Sequence, residues 1–75
     1  MNNQRRKEIA KAVSLMEEIT EILSYVKDEE EMSYDNFPES LQNSIKGEEM
    51  QEWIDRLETA VDTIQEQIDE LTSYL

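Results

Sequence analysis

From Met50 to the end of the chain, apolar residues recur alternately four and three positions apart without a break. This spacing is typical of a coiled-coil seam, in which one edge of a helix faces a partner helix along its length. Neither Gly nor Pro interrupts the pattern. It predicts a helix over residues 48–75 whose seam must be covered by another helix. The seam residues are Met50, Ile54, Leu57, Val61, Ile64, Ile68, Leu71 and Leu75.

A second helical pattern precedes this one and predicts a helix over residues 4–32. Val13, Leu15 and Ile22 make its apolar stripe wider than a two-helix seam requires. Two helices of matched length joined by a compact segment fold back on one another, so we expect an all-α, antiparallel, coiled-coil-like hairpin forming a single domain. The seam residues predicted for this first helix are Ile9, Ala12, Met16, Ile19, Leu23 and Val26.

Residues 33–47 form the predicted connector, which contains the only Pro and the only Gly of the chain. The sequence Asn36-Phe37-Pro38-Glu39 has the form of a capping box, in which the Asn side chain caps a helix and the Glu side chain reaches back. It predicts a short helix inside the connector. Ser44 or Gly47 is expected to begin the second long helix.

Aromatic and aliphatic residues in the connector allow two interpretations. Phe37, Leu41 and Ile45 lie four apart and follow Tyr34, so they are suited to plug the open end of the hairpin. The alternative is a recognition tip, in which Tyr34, Asp35 and Phe37 dock into a basic groove of another protein.

Composition excludes several kinds of site. The 75 residues include neither Cys nor His, so there is no thiolate nucleophile and no ordinary zinc site. A net charge of −12 repels phosphates and anionic lipid, which argues against direct nucleic-acid binding and favours basic protein partners. No apolar run approaches the roughly 18 residues of a membrane span. We therefore expect a protein of the cytoplasm, without a cofactor and without membrane contact.

Clustered acids suggest an enzymatic alternative. Residues 17–21 and 48–52 both fit the pattern E-E-x-x-E, which resembles the magnesium sites of all-helical nucleoside triphosphate pyrophosphatases of the MazG type. Such a site needs carboxylates that converge inside a bundle, where they share a cation. The seams place these carboxylates on outer positions, so we expect no catalytic residue and no metal ligand. Pyrophosphatase activity is kept as a distant alternative.

Acidic residues of the second helix also form an ordered stripe along its outer side. The stripe could imitate a phosphate backbone and bind a basic, DNA-binding protein, and the alternative is a solvated outer face. The residues are Glu48, Glu52, Asp55, Asp62, Glu66 and Asp69.

More apolar residues flank the seams than one hairpin can bury. We expect two hairpins to associate as a homodimeric four-helix bundle, and the alternative is a helix supplied by another protein. The residues expected at this oligomer interface are Val13, Leu15, Ile22, Tyr25, Trp53, Ala60 and Tyr74.

The segment Tyr34-Asp-Asn-Phe-Pro-Glu-Ser-Leu-Gln-Asn-Ser, followed by Gly-Glu-Glu-Met and an acidic heptad helix, resembles small acidic helical-hairpin proteins of Firmicutes and their phages. The resemblance covers about residues 28–72. It implies an accessory protein of a bacterial or phage-infected cell and transfers no catalytic residue.

Two functional classes follow from the sequence. The first is a non-catalytic acidic interaction module, encoded by a phage or a bacterium, that inhibits or modulates a basic host protein. Nucleic-acid-binding and defence proteins are the basic partners considered. The second is a structural oligomerisation module whose charge serves solubility.

Overall fold

The computed structural model describes all 75 residues and contains three helices and no strand. Helix α1 spans Asn3–Asp35, α2 spans Glu39–Gln42 and α3 spans Ile45–Ser73. The all-α class and the short helix in the connector are confirmed. Both long helices continue further into the connector than predicted, because α1 ends beyond residue 32 and α3 begins before residue 48. No helix has the length and the apolar composition that crossing a membrane requires.

The two long helices lie side by side and antiparallel. The molecule measures 58 × 14 × 14 Å, and a helix of 33 residues is about 50 Å long, so both helices fit only next to each other. Near the connector, Glu31 and Tyr34 share a groove with Gln51. Further away, Thr20 shares another groove with Val61. Residue numbers therefore fall along α1 as they rise along α3.

Side chains cap the first turn of both long helices. The Asn2 side chain accepts a hydrogen bond from the backbone N–H of Arg5 at 2.8 Å. Ser44, with extended backbone, accepts from the N–H of Gly47 at 3.3 Å. Each bond satisfies a backbone donor that a helix start leaves without an intrahelical partner. Of the two starts predicted for α3, Ser44 is the cap.

The predicted capping box is wrong. Asn36 has helical backbone angles and closes α1, donating its N–H to the carbonyl of Met32 at 3.0 Å. Helix α2 instead follows Pro38, whose side chain supplies no cap and whose carbonyl accepts from Leu41 N–H at 2.8 Å. Because α1 continues through Asp35, Asn36 cannot take the extended backbone that an N-cap needs.

The connector is held tightly against the start of α3. The Gln42 side-chain amide donates to the carbonyls of Tyr34 and Phe37, at 3.2 and 3.3 Å. Gly47 is buried directly beneath the end of α2, and a Cβ atom added there would collide with the backbone carbonyl of Gln42. The single glycine thus permits a close backbone approach within a helix, and its φ is negative.

The plug interpretation of the connector holds for two of its four residues. Tyr34 and Phe37 are half-buried. Leu41 and Ile45 are exposed, Ile45 to 78%. Ile45 is the first residue of α3 and does not belong to the short helix, which explains why it does not share a face with Phe37.

On α3 the predicted seam faces α1 as expected. Ile54 and Ile68 are buried, and Leu75 lies beyond the end of the helix and is exposed. The other five seam residues, which are Met50, Leu57, Val61, Ile64 and Leu71, are half-buried. A strict heptad pattern therefore identified the inner side of this helix.

On α1 half of the predicted seam is wrong. Ile9, Met16 and Leu23 are half-buried and face α3, but the alternate row of Ala12, Ile19 and Val26 is exposed. The row that replaces it starts at Val13, 7% exposed, and continues at seven-residue intervals through half-buried positions. Its members are Val13, Thr20, Lys27 and Tyr34.

The last turn of α1 shares the rotation of the rest of the helix. Tyr34 is half-buried, and its carbonyl accepts the hydrogen bond from Gln42. A helix transmits its orientation rigidly along its axis, with residues seven apart on nearly the same side. Fixing Tyr34 inward therefore places Lys27, Thr20 and Val13 inward as well. The wide apolar stripe of α1 is left partly outside.

Candidate interaction surfaces

The hairpin has two open faces, one on each side of the seam between α1 and α3. On each long helix one row of residues spaced seven apart points inward: the row of Val13 and Thr20 on α1, and the row of Ile54 and Val61 on α3. In an antiparallel helix pair, residues one position before these rows lie on one side of both helices, and residues four positions after them lie on the other side. The grooves agree with this assignment. Ser24, four after Thr20, shares a groove with Gln65, four after Val61. Glu31 and Gln51 share the second groove on the same side.

The side that contains both grooves is rich in carboxylates, and we call it the acidic face. It unites most of the stripe predicted on α3 with acids of α1 that the sequence reading did not assign to it. Glu52 and Glu66 lie at its outer edge on α3. The members of the acidic face are Glu17, Glu21, Asp28, Glu31 and Asp35 of α1, and Glu48, Asp55, Glu58, Asp62 and Asp69 of α3.

Few positive charges compensate this face. Lys27 lies 3.7 Å from the Glu31 carboxylate and is the one cation in the described ion pairs on this side. The carboxylates are exposed, apart from the half-buried Glu31. Because its carboxylates outnumber its cations, the acidic face has a negative potential that attracts cationic groups. The like charges on neighbouring turns also repel one another.

The groove at the connector end brings two predicted contact residues together. Tyr34 and Asp35 line it with Glu31, Gln51 and Ile54. Phe37, the third residue of the predicted recognition tip, is half-buried in the connector. The predicted recognition tip is therefore divided: Tyr34 and Asp35 line the groove, and Phe37 lies in the connector that precedes α2.

The opposite side carries apolar residues from both long helices, all exposed except the half-buried Ala60, and we call it the apolar face. Its α1 residues are spaced alternately three and four apart, which is a second complete seam pattern. Ile22 is 62% exposed and Trp53 is 54% exposed. The members are Ala12, Leu15, Ile19, Ile22 and Val26 of α1, and Trp53 and Ala60 of α3.

The middle of the apolar face contains no carboxylate. On α1 the nearest acids on this side are Glu8 and Glu29, beyond the two ends of the apolar row, and on α3 they are Glu49 and Glu70. Arg56 is the charged residue within it, with its guanidinium 5.3 Å from the centre of the Trp53 ring. Carboxylates are thus absent from the middle of the apolar face.

The residues predicted for an oligomer interface fall in several places. Leu15, Ile22, Trp53 and Ala60 lie on the apolar face. Val13 lies in the seam of the hairpin, where α3 covers it. Tyr25 lines a groove on the acidic side, and Tyr74 is exposed at the end of α3. Ile19 and Val26 were missed because the sequence placed them in the seam.

The acidic motifs lie on the surface. Glu17, Glu18 and Glu21 are exposed on α1, and no three acidic side chains of the chain lie close enough to hold a metal ion together. Glu66, Asp69 and Glu70 line a shallow, wholly polar depression on the outer side of α3 with Gln67 and Ser73. These carboxylates are solvated side chains on outer helix turns.

Comparison with known proteins adds no relative. No protein-family model matches the chain, and no curated protein and no solved structure shows significant similarity to it. The function of the hairpin is therefore inferred from its two contrasting surfaces, the acidic face and the apolar face.

Proposed function

We propose that this protein is a non-catalytic helical interaction module that docks another helical surface on its apolar face. One observation supports it above the others: exposed apolar residues of α1 and α3 lie side by side with no carboxylate among them. Contiguous apolar surface of this kind marks interaction sites. The three- and four-residue spacing on α1 is the pattern by which helices bind one another.

The small core of the hairpin favours the same function. Val13, Ile54 and Ile68 are the apolar side chains that the hairpin buries, and each keeps an exposure of 4–7%. A domain of this size gains only about 3–5 kcal/mol from a single core. Covering a side chain such as Ile19 or Ile22 contributes roughly 1.5–3 kcal/mol when burial is complete. Docking on the apolar face therefore stabilises the fold and the complex together.

A second candidate function uses the acidic face to bind a basic protein. Acids of α1 extend the predicted α3 stripe across both helices, so the charged surface is wider than one helix provides. Such a face suits an accessory protein that inhibits a DNA-binding protein by occupying its cleft. Ionic contacts of this kind weaken as salt is added.

The first function is tested by placing a charge on the apolar face. Ile22→Glu should abolish association of the chain, measured both as self-association by sedimentation equilibrium and as stoichiometric capture of a protein from a Firmicutes lysate. Tyr25→Glu is the matched control, because Tyr25 is 65% exposed and lies outside the apolar face. Association that survives Ile22→Glu unchanged would refute the proposal.

The second function is tested by neutralising the acidic face. The double substitution Asp28→Asn and Asp62→Asn should weaken capture of a basic protein and reduce the salt dependence of that capture. Glu8→Gln, at the basic end of α1, is the control and should have little effect. A captured partner whose binding is insensitive to salt would argue against the acidic face as its site.

A further inference from the structure

We propose that the partner on the apolar face is a second copy of this chain, packed antiparallel to the first. In this dimer α1 lies against α1 of the second copy and α3 lies against α3, forming a four-helix bundle with the two connectors at opposite ends. The inference rests on the proposed function and adds the identity and the direction of the partner.

The first argument is the symmetry of the apolar face. A two-fold axis requires each residue to face the position at equal distance on the other side of the centre. The α1 row approximates this condition about Ile19. Ala12 and Val26 each lie seven residues from Ile19 and pair with one another, and Leu15 and Ile22, at four and three residues, lie nearly level. A row of mixed large and small side chains that matches its own reverse is self-complementary.

The α3 side of the face has a matching centre. Beyond the apolar face, the polar Gln67 and the exposed Tyr74 continue the seven-residue spacing of Trp53 and Ala60. Trp53 then pairs with Tyr74, and Ala60 pairs with Gln67, about a point between Thr63 and Ile64. Thr20 and Val61 line one groove across the seam, so this point lies at nearly the same height as Ile19. One two-fold axis, lying between the two apolar faces and running perpendicular to the helix axes, therefore relates both helices to their copies.

The second argument is the absence of acids from the centre of the face. A chain with a net charge of −12 resists self-association, because its copies repel one another. Repulsion is smallest where carboxylates are furthest from the contact. The acidic face lies on the far side of the seam from the apolar face, so the dimer carries the two acidic faces on its outside.

The third argument is the distribution of charge along the axis. The connector end is strongly acidic, with residues 28–31 and 48–49 consisting of Asp and Glu alone. The opposite end holds Arg5, Arg6, Lys7 and Lys11. A parallel dimer would place the two acidic ends together. The antiparallel dimer places the acidic end of each α1 against the basic end of the other α1, which is favourable, whereas both ends of α3 are acidic.

The antiparallel arrangement also pairs the one charged residue on the face. Arg56 and Glu70 lie on opposite sides of the centre on α3, at distances that differ by one residue, so each arginine comes nearly level with a glutamate of the other copy. In the single chain Arg56 has the exposed Glu52 as its carboxylate partner, at 3.4 Å. Such an exposed pair contributes little to stability, which leaves Arg56 free to bind across the interface.

The mass in solution tests the dimer. Sedimentation equilibrium at micromolar concentration should give twice the 8.9 kDa of the chain. Ile19→Glu, which places two carboxylates together at the two-fold axis, should give a helical monomer, and Tyr25→Glu should remain dimeric. Should Ile19→Glu fail to fold, Ile22→Glu at the more exposed edge of the row replaces it. A monomeric mass for the unmodified chain overturns the inference.

The direction is tested by a spin-label distance. The chain has no Cys, so Ser33→Cys introduces a single labelling site near the connector end. Ser33 lies fourteen residues from Ile19, and at 1.5 Å per residue the antiparallel dimer separates the two labels by about 40 Å. A parallel dimer brings both labels to the same end. A distance between the two spin labels of well below about 20 Å would contradict the antiparallel arrangement.

The two proposals fail separately. If the chain is monomeric but captures another protein in a manner that Ile22→Glu abolishes, the interaction module stands and self-association falls. If Ile22→Glu affects neither self-association nor capture, both proposals fall.

Discussion

The apolar face and the acidic face are built by the same two helices, yet they share almost no chemistry. They differ because α1 is rotated so that Thr20 and Lys27 point toward α3 while Ile19 and Val26 remain outside. A hairpin selected only for its own stability would bury the apolar row in place of the polar one. The contrast teaches that the packing of the hairpin alone does not account for the exposed row of α1, and this supports the proposed contact on the apolar face.

The largest effect is expected where the connector fixes this rotation. Gly47→Ala should lower the free energy of unfolding by about 2 kcal/mol, because overpacking typically costs 1–3 kcal/mol and the added Cβ meets the backbone of Gln42. This loss exceeds the gain of about 1 kcal/mol that Ala has over Gly in an unobstructed helix. Urea unfolding followed by circular dichroism measures it.

The neighbouring exposed residue provides the control for that substitution. Lys46→Ala should leave the unfolding midpoint nearly unchanged. If Gly47→Ala matched or exceeded the stability of the unmodified chain, the connector would not hold the rotation that separates the two faces.

A smaller effect, of opposite sign, is expected in the inner row of α1. Thr20→Val should raise the free energy of unfolding by about 0.8 kcal/mol, the contribution of one buried methylene group. Thr20 is half-buried, and its hydroxyl bonds only to the Glu17 carbonyl of the preceding turn, at 2.7 Å. Thermal melting compares it with Thr59→Val at an exposed position of α3, which should be neutral. Equal shifts for the two variants would place Thr20 outside the seam.

The smallest effect concerns repulsion on the acidic face. The double substitution Asp28→Asn and Asp62→Asn should stabilise the chain by about 0.5 kcal/mol at low ionic strength, because like-charge neighbours destabilise helices by a few tenths of a kcal/mol each. The gain should vanish at about 1 M salt, where the screening length is near 3 Å. Melting curves at several salt concentrations measure both.

Glu8→Gln should destabilise the chain in the same melting experiment, whereas the double substitution on the acidic face should stabilise it. Its carboxylate lies within one helical turn of Arg5 and Lys11, so neutralising it removes favourable interactions. If this substitution stabilised the chain as much as the pair on the acidic face, the repulsion would be spread evenly over the molecule.

The sequence predicted the α3 seam correctly and the rotation of α1 incorrectly, for a physical reason. In α3 each heptad offers one apolar edge, so the inner side is determined locally. In α1 the apolar residues cover two edges, and local spacing cannot decide which edge α3 covers. In the structure the last turn of α1 is joined to α2 by the hydrogen bond from the Gln42 amide to the Tyr34 carbonyl, eight residues apart, which the apolar spacing does not encode.

The candidate surfaces were predictable to the same extent. The α3 stripe follows from residue spacing alone, and it lies on or at the edge of the acidic face. Merging it with Asp28 and Glu31 required the rotation of α1. The capping box failed in a similar way, because Asn36 fits both the end of one helix and the start of the next, and the length of α1 decides between them.

The proportions of the hairpin have a consequence for how it moves in water. At 58 Å by 14 Å it is about four times as long as it is wide. Friction on such a rod is greater than on a sphere of equal mass, so a gel-filtration column calibrated with compact standards will overstate its size. End-over-end tumbling will also be slower than rotation about the long axis, which makes NMR relaxation rates depend on the direction of each bond.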